Sequence, residues 1–146
     1  MGVQTGRSIV EQLNSQPEPH ESIRRLRIIA LNPPRQELYE RINKRADMHF
    51  AAGLTEEVRG LLAKGIPANS NALGAHGYRR VVEFLESKRT LESAIEQTKL
   101  DIRHYAKRQL TWFRHEPGVE WVDGFGEEKN VLASVWEKLS APAPTK

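Results

Sequence analysis

Apolar residues recur at helical spacing along most of the chain and gather into short runs at two places. From residue 35 to 52, Tyr39, Ile42, Ala46 and Phe50 stand three or four apart, which predicts a helix with one apolar stripe, ended by Gly53. Thr55, Glu56 and Glu57 open a shorter helix to Lys64, closed by Gly65. "YRRVVEFLES" predicts a helix with Val81, Val82 and Leu85 inward, and a long helix follows from Leu91 to Arg114. A last helix covers 127–139 with Val131, Leu132, Val135 and Leu139 on one side, and a short one covers 6–13. The run Leu26 to Leu31, stopped by Asn-Pro-Pro, predicts a buried strand. "VEWVDG" alternates Val119, Trp121 and Gly124 against Glu120 and Val122 and predicts another strand.

Two strands so far apart in sequence make a poor sheet alone. The expected fold is an α/β fragment, predominantly helical, with about six helices and two short strands. Those strands would belong to a parallel sheet whose other members are missing. Residues 1–139 form the expected folded portion, and "SAPAPTK", 140–146, is expected to be a disordered tail.

Composition narrows the partners. No apolar run approaches a membrane span, so no membrane partner is expected. The absence of cysteine excludes disulfides and thiolate sites from these residues and fits a cytoplasmic location. A net charge of +3 and a pI near 9.3 permit a nucleic-acid partner without demanding one.

Charge is most uneven in "YAKRQLTWFR", residues 105–114, where three cations and three aromatics share ten positions. Projected at 100° per residue, Leu91, Ala94, Ile95, Thr98, Ile102, Tyr105, Gln109, Trp112 and Phe113 fall in one sector. Lys99, Arg103, Lys107 and Arg114 fall in the opposite one, with His104 and Arg108 on a flank. The aromatics are therefore expected to face a core and the cations to face outward. Such a basic stripe is either a solvated face or a track for a phosphate backbone. Gln109, inside the apolar sector, either bonds a nearby backbone group or contacts a ligand.

Complete catalytic constellations are missing from these residues. There is no G-x-x-x-x-G-K-[ST] loop and no serine elbow, and the five histidines lack zinc spacing.

Three blocks carry a resemblance. "YAKRQLTWFR", "HGYRRVVEFLES" and "ELYERINKRADMHFAAGLTEEVRGLLAKG", in this order and spacing, closely resemble tRNA dimethylallyltransferases, the tRNA isopentenyltransferase family. "TGRSIVEQ" near the start and the tryptophan of "VEWVD" fit as well, so the likeness runs from about Thr5 to Leu139. It covers the C-terminal portion of the family pattern, whose P-loop, general-base aspartate and threonine precede it. A fragment lacking the N-terminal half, and inactive alone, is therefore expected.

The resemblance implies transfer of a dimethylallyl group from dimethylallyl diphosphate to N6 of the adenosine 3′ to the anticodon. It implies Mg2+ held by the missing half, and tRNA gripped by its anticodon arm. Arg45 in "RINKR" takes the place of the arginine that meets the diphosphate; a snorkelling interface role is the plainer reading of its helical position. The tRNA-contacting stretches correspond to residues 74–79 and 107–114. With the basic stripe, these give Gly77, Tyr78, Arg79, Arg80, Lys99, Arg103, Lys107, Arg108, Gln109 and Arg114 as candidates. His76 and Ile102 depart from the family pattern, which has Ile or Val and Thr there. The rival readings are a stand-alone RNA-binding module without catalysis and a helix-turn-helix DNA binder using residues 77–114.

Overall fold

The computed structural model describes residues 27–141. The expected helix at 6–13 and most of the expected tail lie outside them. In chain order the elements are β1 (Ile28–Asn32), α1 (Arg35–Ala51), α2 (Leu54–Ala63), a 3-10 turn (Ala72–Gly74), α3 (Tyr78–Leu85), α4 (Leu91–His115), β2 (Val119–Asp123) and α5 (Lys129–Ser140). The mostly helical α/β character follows the apolar periodicity. Among the described residues no helix is long and apolar enough to cross a membrane.

The two strands pair with each other in parallel, in the register Ile28 with Val119 through Asn32 with Asp123. Asn32 Nδ2 donates to Asp123 Oδ1 at 2.7 Å where both strands end. A parallel pair joined by a long crossover is the expected fragment of an α/β sheet. The expectation of a buried first strand does not hold: no residue of β1 is fully buried, because only β2 flanks it among the described residues. On β2 the buried residue is Val122, not the Val119–Trp121 face, since α5 covers the Val122 end with Val131 and the Phe125 turn. Gly124 makes that closure possible. Its φ is +117°, and a Cβ there would lie 2.6 Å from Val131.

The main core lies elsewhere. Leu54 and Val58 of α2, Leu73 of the turn, and Val81 and Val82 of α3 are buried together, with Phe50, Leu61, Ile66 and Leu85 packed around them. α4 closes this core on one side and rests on α1 on another. Its N-terminus is capped by Thr90, whose side chain accepts from the Ser93 N–H at 3.2 Å. α5 is less committed than its apolar periodicity suggests. Val131 is buried, but Leu132, Trp136 and Leu139 lie exposed, because the sheet beneath the helix is only two strands wide among the described residues. The helix also runs through Ser140, one residue into the expected tail.

Candidate nucleic-acid interface

Gly77 fixes the first part of the site. It sits at φ +88°, and a Cβ there would lie 3.1 Å from Leu54 and 3.6 Å from Thr98. The glycine thus presses the 74–77 loop against α2 and α4 and starts α3 beside them. Tyr78 is tied inward: its hydroxyl donates to Glu57 Oε1 at 2.7 Å, and that bond holds the phenol above its ordinary pKa. Arg79 points outward, with only an exposed pair to Glu83 at 3.3 Å.

Arg80 is not a free cation. Its Nε donates to Asp101 of α4 at 2.7 Å and its Nη1 to Glu83 at 2.8 Å, and all three side chains are largely buried. Arg89 adds a second cation 2.7 Å from Glu83, and Gln97 donates to Asp101 at 3.0 Å. Burial pushes the Asp101 and Glu83 carboxyls up, but the facing guanidiniums outweigh it and hold both below the usual range. The cluster clamps α3 onto α4, so the expected phosphate contact at Arg80 gives way to an internal one.

The two-sided reading of α4 holds only in part: the start of its apolar sector is buried, and Lys107 and Arg114 face outward. Ala94 and Thr98 are buried as expected. Further along, the half-buried residues are Ile102, Ala106, Leu110 and Phe113. From Ala94 to Leu110 these follow four-residue steps, each turning the stripe by about 40°. The buried face therefore winds around the helix, which packs against both α3 and α1. A straight projection misses this. Lys99 and Arg103 are carried inward onto α1: Lys99, 14% exposed, pairs with Asp47 at 2.8 Å and with Glu96 at 2.8 Å. Asp47 and Glu96 hold the Lys99 ammonium above its ordinary pKa. Arg103 is half-buried with its guanidinium 5.8 Å from the Tyr39 ring. Conversely, Trp112 (59% exposed), Tyr105 (45%) and Gln109 face solvent rather than a core. Gln109 therefore has no burial to compensate.

What remains outside is continuous. A cavity of about 210 Å³ is lined by the 74–77 loop, Arg79, His104 and Arg108, with the Arg80–Asp101 pair in its wall. His104 and Arg108 also line the next groove, about 610 Å³, with Lys107, Thr111, Trp112 and His115. Lys107 and Thr111 lead on to a cavity of about 640 Å³ at the carboxyl ends of both strands, where Arg35, Tyr39 and Arg114 stand together with Glu37, Asp123 and Glu128. Along this strip the His76 and Tyr105 rings lie 5.1 Å apart, and Arg108 lies 5.8 Å from the Tyr105 ring. Lys107, Arg108 and Arg114 have no acidic partner among the described residues. Interleaved cations and aromatics are the surface chemistry of nucleic-acid binding. His104, Thr111 and His115, which also line these grooves, were not among the residues singled out from the sequence.

Arg45 lies apart from the strip. It is exposed on α1, one turn beyond Arg41, which pairs with Glu127 and covers the Phe125 ring at 3.5 Å. None of these three cavities includes it. Among the described residues no group of three or more His, Asp or Glu side chains is placed to hold a metal.

The IPP transferase family model matches residues 2–116. The tRNA dimethylallyltransferase of Thermomicrobium roseum is 43% identical over 119 residues, covering 82% of this chain and 35% of that protein. The tRNA dimethylallyltransferase 1 of Trichlorobacter lovleyi is 44% identical over 104 residues, covering 71% of this chain and 33% of its own length. The crystal structure of the full-length tRNA isopentenylpyrophosphate transferase from Bacillus halodurans superposes with a TM-score of 0.72 at 33% identity, over 89% of this chain and 41% of that one. The chain thus spans about a third to two-fifths of the length of these relatives. It belongs to the IPP transferase family.

Proposed function

We propose that this chain is the tRNA-holding portion of a tRNA dimethylallyltransferase. In the whole enzyme, a dimethylallyl group would pass from its diphosphate to N6 of the adenosine 3′ to the anticodon, with pyrophosphate leaving. One observation carries the reading: the fold joins the 74–79 and 107–114 blocks into one strip of outward-facing cations and exposed aromatics. Lys107, Arg108, Arg114 and Arg79 meet phosphates along the anticodon arm, in the cytoplasm. Lys99, Arg80 and Arg103 support that strip from within.

Arg45 supplies positive charge to the departing diphosphate, where negative charge develops. Its match to the family motif and its exposed position on α1 support this role. The resemblance places the magnesium ligands in the N-terminal half of the family pattern, outside the residues described.

The test is the pure chain with tRNA, with a duplex DNA competitor, and then with dimethylallyl diphosphate and magnesium. The expected result is tRNA binding that the DNA does not displace, without prenylated adenosine. Multiple-turnover prenylation by this chain alone overturns the division of labour. Preferential DNA binding overturns the partner.

A further inference from the structure

Trp112 is the largest side chain of the strip and the one least used by the fold. Its ring is 59% exposed, and its aromatic neighbour is Phe113, edge-on at 4.8 Å. Phe113 is half-buried and both residues sit on a 25-residue helix, so the indole is held from one side and open on the other. Tyr105, two turns or about 10 Å back along the axis, is already flanked by His76 and Arg108. Trp112 is the free aromatic face.

Its surroundings select the occupant. The groove around it carries Lys107, Arg108, His104, His115 and Thr111 and no carboxylate. An apolar protein partner would meet a rim of cations. A second copy docked about a two-fold axis would bring those cations against themselves. A polyanion with flat apolar faces satisfies both the charge and the ring. Bases in a duplex are already stacked and leave no face to offer, whereas a loop base has one.

We propose that Trp112 is a stacking platform for an unpaired nucleobase, flanked by Arg108 and Lys107 on the adjoining phosphates, so that this face selects RNA loops over duplex. The proposal rests on the RNA-binding reading above and goes beyond it in naming the residue and the kind of nucleotide. Cations alone bind any phosphate backbone. The indole adds discrimination that salt does not screen.

The test compares the full chain with its Trp112→Ala, Trp112→Phe and Lys107→Ala variants. The probes are an anticodon stem-loop and a blunt RNA duplex of equal charge, over a salt series. Trp112→Ala is expected to weaken stem-loop binding about five- to 150-fold, with an unchanged salt slope and little effect on the duplex. Trp112→Phe restores most of the affinity. Lys107→Ala lowers the salt slope on both probes. A photoreactive pyrimidine in the loop is expected to crosslink to the Trp112 peptide of the unsubstituted chain, which decides the matter should Trp112→Ala fail to fold. Unchanged stem-loop affinity in Trp112→Ala, alongside weakened Lys107→Ala, overturns the stacking role and leaves the RNA reading standing. No binding of either probe by the unsubstituted chain overturns both. A shift from dimer to monomer in Trp112→Ala, with RNA affinity unchanged, overturns the proposal in favour of a second copy.

Discussion

The Nε of Arg80 in α3 donates to Oδ2 of Asp101 in α4 at 2.7 Å, and through this pair the loop carrying Gly77 is held against the long helix. Each side chain is about four-fifths buried, so the loss of either leaves the other charge poorly solvated. Asp101→Asn is therefore expected to destabilise the chain by about 1–3 kcal/mol at neutral pH. Arg80→Ala should do likewise without changing the salt slope of RNA binding, since this cation is spent internally.

The same cluster sets an acid limit. Asp101 and Glu83 titrate lower folded than unfolded, because the facing guanidiniums outweigh their burial. Their contribution is complete above the unfolded carboxylate range, and it is lost as pH falls through the lowered folded values. Melting temperature should be flat near neutrality and drop steeply below about pH 4. In Asp101→Asn that acid limb should be shallower, which a pH series of thermal melts reads directly.

Glycines at two positions should respond in opposite directions to alanine. Gly77 has φ +88° and its missing Cβ would press on Leu54, so Gly77→Ala should destabilise by about 1–3 kcal/mol. Gly60 lies inside α2 with nothing within 4 Å of its missing Cβ. Gly60→Ala should stabilise by about 0.5–1 kcal/mol. Paired denaturant titrations measure both. Equal effects would mean that the 74–77 loop is not seated as described.

The helices were legible because their signals are local. Apolar steps of three and four marked α1 and α4, glycines marked the ends of α1 and α2, and the strand at 119–123 appeared within one residue of its place. What failed was non-local. Nothing near Lys99 in sequence, apart from Glu96, announces that Asp47 will meet it, and nothing near Arg80 announces Asp101. Trp112 looked like core because a projection assumes one straight apolar face, whereas the buried stripe of α4 winds against two partners, α3 and α1. The basic stripe was therefore drawn with some members that the fold turns inward. Lys107, Arg108 and Arg114 remain, while Lys99, Arg103 and Arg80 are turned inward.

α5 and the sheet expose what the core leaves over. Leu132, Trp136 and Leu139 are 55, 72 and 51% exposed along one helix, and β1 has β2 as its one neighbour among the described residues. Such a stripe beside an unpaired strand edge favours association. Sedimentation of the pure chain should show concentration-dependent self-association. Trp136→Glu with Leu132→Lys should reduce it and leave the α2–α3 core intact. A strictly monomeric chain at all concentrations would count against an open face.

Lys107 and Arg108 offer the sharpest separation of binding from folding. Both are exposed, and neither has an acidic partner among the described residues, so folding does not depend on their charge. Lys107→Ala and Arg108→Ala should leave the melting temperature almost unchanged. Each should weaken tRNA binding, and the salt slope should fall by roughly 0.7–0.9 for every phosphate no longer neutralised. Leu73→Ala is the control in the other direction. That side chain is 1% exposed at the centre of the core, and its truncation should cost about 2–5 kcal/mol. Trp112→Ala should cost far less than this in stability, because the ring is mostly in water already. Should Lys107→Ala and Arg108→Ala unfold the chain while the salt slope stays intact, the strip is scaffold rather than interface. Phosphate contact would then have to be sought on the face of α1 where Arg45 stands exposed.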